Sequence, residues 1–194
     1  MIFGTHNSGT GEKLVWWQRP FSFFLHLTSR CQSRTIDEQL KHGVKLFNFQ
    51  ITYYKNEWRF SHGLCIYERN VEDVLKKMKK YIKPDRPIYY QLHLDKNFLL
   101  GQNVEEFKKL VDKLKKQVGA QMLYAFIEGT NEYIYDSGIE LDISENYWSS
   151  YWGEHHGKSI IDKIPLPKRH AKKYNKKYKA ENKSEYLMLD FYEI

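Results

Sequence analysis

Two histidines stand where short apolar runs give way to loops: His6 in Phe3-Gly-Thr-His-Asn-Ser-Gly-Thr10, and His62 in Phe60-Ser-His-Gly63. An imidazole changes charge near neutral pH, so two of them on one face can move protons in opposite directions. Asn48 and Gln50 share one side of an alternating run whose other side is Phe47, Phe49 and Ile51. Amides there either fill a barrel interior or bind something polar. His93 and Asp95, in Gln91-Leu-His-Leu-Asp95, add a third imidazole and a carboxylate at another strand end. The Glu154-His155-His156 triplet resembles a metal cluster only in composition, because consecutive side chains rarely chelate together.

Such groups need a scaffold. Residues 2–5 read as a buried strand ending at His6. Thr35 and Glu38 form a capping box for a helix over 35–43 that Gly43 stops. Lys45–Tyr53 and Trp58–His62 read as strands. Asn70 caps an amphipathic helix to Ile82, a strand follows over Ile88–Leu94, and Asn103–Val118 is a second amphipathic helix. Met122–Ile127 is an apolar strand. Strand and helix alternate three times, which predicts a parallel sheet with helical crossovers. Beyond residue 128 the pattern weakens: strands near 138–143 and 158–161, an aromatic loop at 146–152, a Lys-rich stretch over 163–183, and a last strand over Tyr186–Phe191.

The 194 residues suit one domain, and a chain this long buries roughly 70% of its unfolded surface without a staple. A net charge of +7 favours anionic partners: nucleic acid, anionic membrane or a phosphorylated small molecule. Cys31 and Cys65 are too few for a disulfide framework and lack metal-ligand spacing, which favours a reducing, cytoplasmic setting. No signal-peptide pattern opens the sequence, and the apolar run Phe21–Leu27 is too short to span a bilayer, which takes ~20 residues. Membrane contact is therefore expected to be peripheral. Trp16, Trp17, Phe21, Phe23 and Phe24 suit core packing better than an interfacial lip.

Gly4-Thr-His-Asn-Ser-Gly-Thr10, then Gln32 and Thr35-Ile-Asp-Glu-Gln-Leu40, Gly43-Val-Lys-Leu-Phe-Asn48 and Phe60-Ser-His-Gly63 resemble the X domain of phosphatidylinositol-specific phospholipases C. The likeness runs in order to about residue 95 and resumes at Leu187-Met-Leu-Asp-Phe-Tyr192. It implies one irregular TIM-like barrel of the α/β class, spanning residues 1–194. It also implies a phosphodiesterase acting on phosphatidylinositol-type lipids through an inositol 1,2-cyclic phosphate. By that resemblance His6 is the general base on the inositol 2-hydroxyl, His62 the general acid on the leaving oxygen, and Asp190 the carboxylate that orients His6. Asn7, Asn48, Gln50, His93, Trp148 and Tyr151 become candidate substrate contacts.

The resemblance departs where charge is handled. Bacterial members place an arginine on the second strand, and eukaryotic members hold calcium with carboxylates there; this chain has Asn48 and Gln50. A calcium-type site would be left with Asn7, Asn48 and Asp95, a poor set for a hard cation. Otherwise a lysine or a protonated His93 must supply the charge, with no cofactor. The run Lys168–Lys179 suits attachment to an anionic membrane or a solvated helix face; a nucleic-acid role is not favoured, for no nucleic-acid-binding fold pattern accompanies it. A monomer is expected. The rival readings are a silent barrel that binds phosphoinositides or anionic membrane, and an accessory interaction protein.

Overall fold

The computed structural model describes residues 1–83, 85, 87–97, 99–116, 120–130, 132–146 and 166–194. Its centre is one sheet ordered β7-β6-β5-β2-β1-β9-β8. The strands are β1 (Ile2–Thr5), β2 (Leu46–Tyr54), β3 (Glu57–His62), β4 (Cys65–Asn70), β5 (Tyr89–Leu94), β6 (Gln121–Ile127), β7 (Tyr133–Asp136), β8 (Ile143–Asn146) and β9 (Tyr186–Leu189). The helices are α1 (Ser22–Ser29), α2 (Ile36–Lys41), α3 (Val71–Met78), α4 (Val104–Lys115) and α5 (Pro167–Glu181). The six strands from β6 to β8 along that path pair in parallel, and among the described residues the curl does not close into a complete barrel.

Local chemistry accounts for the elements. Thr35 accepts from the Glu38 amide and the Glu38 carboxylate accepts from Thr35 N, which starts α2. The Asn70 side chain accepts from the amides of Glu72 and Asp73 to start α3. Val71, Val74, Leu75 and Met78, with Phe107, Leu110, Val111 and Leu114 of α4, are buried in the main core. Phe47, Phe49 and Ile51 meet them from the sheet's outer face.

The inner face is layered. Leu46, Leu123, Tyr186 and Met188 form a small apolar floor. Above it the register sets Asn48 beside Gln91, and Gln50 beside His93 on the next level, so polar residues fill two successive storeys. This stacking of interior layers is how a parallel barrel fills itself while leaving its upper rim for chemistry.

Several expectations are corrected. Strand β3 runs antiparallel to β2, with Ile51 opposite Phe60. His62 therefore does not sit at the end of a parallel barrel strand; a hairpin brings it back. Strands β4 and β7 are additional, and residues 138–142 form no strand. The Lys-rich stretch is helical over Pro167–Glu181. Trp16, Phe21, Phe23 and Phe24 are 61–71% exposed rather than packed in the core, while Trp17 is half-buried and donates to the Tyr54 hydroxyl. The expected strand near 158–161, the residues Trp148 and Tyr151, and Glu154-His155-His156 lie outside the described residues.

Candidate active site

His6 leaves the end of β1, and its Nδ1 lies 2.9 Å from Asp190 Oδ1, just past β9. A carboxylate can only accept, so Nδ1 carries the proton and Nε2 holds the basic lone pair. Gln32 ties the two strand ends together: its Nε2 donates to the carbonyls of His6 (2.9 Å) and Leu189 (2.8 Å). Thr10 ties down the same corner, donating to Asn7 O and accepting from the amides of Cys31 and Gln32.

The glycines of the His6 loop serve close approach. A Cβ on Gly9 would stand 2.4 Å from the Phe60 ring, and one on Gly11 would stand 1.8 Å from Arg34 O. This lets Ser8–Gly11 press a single 3-10 turn against β3 and places Asn7 in the left-handed region at φ 44°.

His62 is held by a main-chain carbonyl. Its Nδ1 lies 2.7 Å from Ser29 O, so that nitrogen donates and Nε2 takes or gives a proton. The two imidazoles are 6.5 Å apart between ring centres and nearly perpendicular. Burial pushes the His62 pKa below its ordinary 6.5; the Ser29 carbonyl opposes this, and the neighbouring His6 charge reinforces it.

Around the pair stand the amides. Asn48 Oδ1 accepts from Asn7 N (3.2 Å), and its Nδ2 lies within reach of Gln91 Oε1 (3.1 Å) and His93 Nε2 (3.2 Å). Gln50 Nε2 donates to Glu128 Oε1, and the other Glu128 oxygen accepts from Lys96 N. Burial lowers the His93 pKa to about 4, so it is neutral near pH 7 and does not supply the charge expected of it. Burial, then the Glu128 carboxyl, raises Asp95 to about 8.

The trio Asn7, Asn48 and Asp95 does not fit a calcium ion. Asn48 has its oxygen turned to a backbone N–H, and Asp95 is the trio's one acid where a hard cation wants several charged oxygens. Among the described residues no Arg or Lys side chain pairs with His62, Asn48, Gln50 or Asp95. Unpartnered acceptors remain among those residues: Asn7 Oδ1 and Gln50 Oε1 are buried without a hydrogen-bond donor.

Four residues of this cluster escaped the sequence reading. Glu128 follows strand β6 directly, and its position past a parallel strand could have marked it. Gln91 shares the alternation that exposed His93. Tyr124, whose hydroxyl lies 3.3 Å from His93 Nε2, and the fully buried Cys31, whose Sγ lies 3.8 Å from His62 Nδ1, carried no such signal.

No family model matches this sequence, and no curated protein does. Solved structures do. A double mutant of the phosphatidylinositol-specific phospholipase C from S. aureus superposes at TM-score 0.60 and 16% identity, over 98% of this chain and 84% of that one. The Listeria monocytogenes enzyme of the same name superposes at TM-score 0.60 and 14% identity, over 98% and 87%. A pentafluoro-Phe form of the Staphylococcus aureus protein matches at 0.58 and 15%, over 98% and 85%. The chain thus has the TIM-barrel-like fold of those phospholipases.

Proposed function

We propose that this chain is a phosphoric diester hydrolase or lyase that cleaves phosphatidylinositol-type lipids with His6 and His62 as its proton-transfer pair. The observation that carries the reading is the pair itself: two rings 6.5 Å apart, each with its Nδ1 anchored, which makes Nε2 the nitrogen assigned to proton transfer. His6 Nε2 takes the proton of the inositol 2-hydroxyl, whose oxygen attacks phosphorus. The bond from phosphorus to the diacylglycerol oxygen breaks, and His62 Nε2 delivers a proton to that oxygen. Diacylglycerol and inositol 1,2-cyclic phosphate are the products. Because the attacking hydroxyl belongs to the substrate, proximity is already supplied and the protein need only move protons and steady charge. Asp190 keeps His6 in the tautomer this requires.

Asn7, Asn48, Gln50 and His93 are the candidate contacts to the headgroup. The unpartnered Asn7 and Gln50 oxygens suit sugar hydroxyls, which donate hydrogen bonds. The solved structures include a Staphylococcus aureus enzyme described for its membrane binding. Among the described residues no helix is long and apolar enough to cross a membrane. The exposed aromatic residues of α1 therefore support contact with a lipid surface from one side.

A second reading, a barrel that binds inositol lipids without turning them over, draws on the neutral Asn48 and Gln50 standing where an arginine or acidic metal ligands would steady charge. One assay separates the two. Phosphatidylinositol vesicles should release water-soluble cyclic inositol phosphate, with or without a calcium chelator. Binding of those vesicles with no release by the intact protein would leave only the second reading.

A further inference from the structure

Helices α1 and α5 enclose a groove of about 710 Å³ that the acid–base chemistry does not use. Phe23 and Leu27 form its apolar wall, and Arg30, Lys168, Arg169 and Lys172 bring four positive charges to it. Arg30 gives Nε and Nη2 to the carbonyls of Gln32 (2.9 Å) and Ser33 (3.1 Å), so its guanidinium is fixed without being neutralised. Among the described residues no carboxylate pairs with any of the four, and the nearby Glu193 is engaged by the Ser33 hydroxyl. Nor does helix stability explain them, because cations disfavour a helix start and the first turn of α5 holds no acid. His26, which also lines the groove, has Nε2 buried with no hydrogen-bond partner among those residues.

The groove adjoins the supports of both histidines. Helix α1 ends at Ser29, whose carbonyl holds His62. Phe191, on the groove lining, follows Asp190 and donates its amide to Cys31 O. From α5 the buried Asn175 donates to the carbonyls of Asp190 (2.8 Å) and Phe191 (3.0 Å).

We propose that this groove binds the headgroup phosphate of an uncleaved anionic phospholipid, and that its occupancy steadies the Ser29 and Asp190 supports of the two histidines. Clustered unpaired cations call for an anion, and the adjoining Phe23 and Leu27, 71% and 47% exposed, suit the lipid that carries it. The binding stands on the groove alone; only the effect on rate rests on the phosphodiesterase reading.

The test uses the full chain and vesicles of phosphatidylcholine with or without phosphatidylglycerol. Arg169→Gln with Lys172→Gln should weaken the phosphatidylglycerol-dependent binding by roughly tenfold or more. Lys176→Gln with Lys177→Gln, an equal charge change on α5 outside the groove, should weaken it less than about threefold. Soluble short-chain phosphatidylglycerol should raise the melting temperature of the unsubstituted protein, and the groove variant should lose that rise. An equal loss for both variant pairs would overturn the site, as would an equal rise from inorganic phosphate or a larger rise from RNA. In vesicles that also hold phosphatidylinositol, phosphatidylglycerol should speed turnover of the unsubstituted protein but not of the groove variant; equal acceleration of both would overturn the coupling. Absence of turnover from every form would end the phosphodiesterase reading while the binding comparison still decides the groove.

Discussion

In the proposed reaction His6, with Nδ1 given to Asp190 Oδ1, offers Nε2 as the base, and His62, with Nδ1 given to Ser29 O, offers Nε2 as the acid. Two anchors of different charge give one residue type two roles. Replacing either ring with Ala should lower release of cyclic inositol phosphate on the order of 10²–10⁴-fold, measured on phosphatidylinositol vesicles with circular dichroism to check folding. Asp190→Asn should lower kcat more than it raises KM, since it disturbs the His6 tautomer rather than a lipid contact. His62 must be protonated to act as acid, and burial lowers its pKa below 6.5. The protonated fraction of the free enzyme therefore falls as pH rises through that lowered value. A profile of kcat/KM against pH should show its alkaline limb setting in below pH 6.5, and a limb starting above 7 would contradict the acid role.

At the scale of elements, the site depends on close approach between a loop and the β3 hairpin. Gly11 has Arg34 O, and Gly9 the Phe60 ring, where a methyl group would go. Gly9→Ala and Gly11→Ala should each cost about 1–3 kcal/mol of stability by forcing that loop off the hairpin, measurable by urea unfolding. The α2 capping box is a separate contribution, made by groups outside the reacting pair. Thr35→Ala should lower stability by ~1 kcal/mol while kcat changes little, because the variant removes a helix cap and no group of the reacting pair. A large kcat loss with intact stability would show instead that α2 positions the His6 loop.

Across the whole molecule, buried ionisable groups set the pH dependence of stability. His93 has its pKa lowered from 6.5 to about 4, so the unfolded chain binds more protons and stability rises with pH across that window. Asp95 has its pKa raised from 3.8 to about 8, so the folded chain binds more protons and stability falls with pH between those values. The two oppose each other up to pH 6.5; above it the Asp95 contribution alone continues, to about pH 8. Melting temperatures should therefore decline between pH 6.5 and 8, and Asp95→Asn should flatten that decline. A variant that keeps the same slope would place the titrating group elsewhere.

Periodicity and caps marked α2, α3, α4 and strands β1, β2, β5, β6 and β9, because an amphipathic stripe or an alternating run reports its own burial. His6, His62, Asn48 and Gln50 were legible for the same local reason, polar groups placed where apolar runs end or alternate, whereas Asp190 was marked by the family resemblance alone. What the chain order could not contain was the hairpin that turns His62 back toward His6. Nor could it reveal that burial would neutralise His93 and hold the Asp95 proton, since desolvation depends on what packs around a group. The groove between α1 and α5 is of the same kind. Its cations are visible in the sequence, but only the packing of two distant helices decides that they face one another.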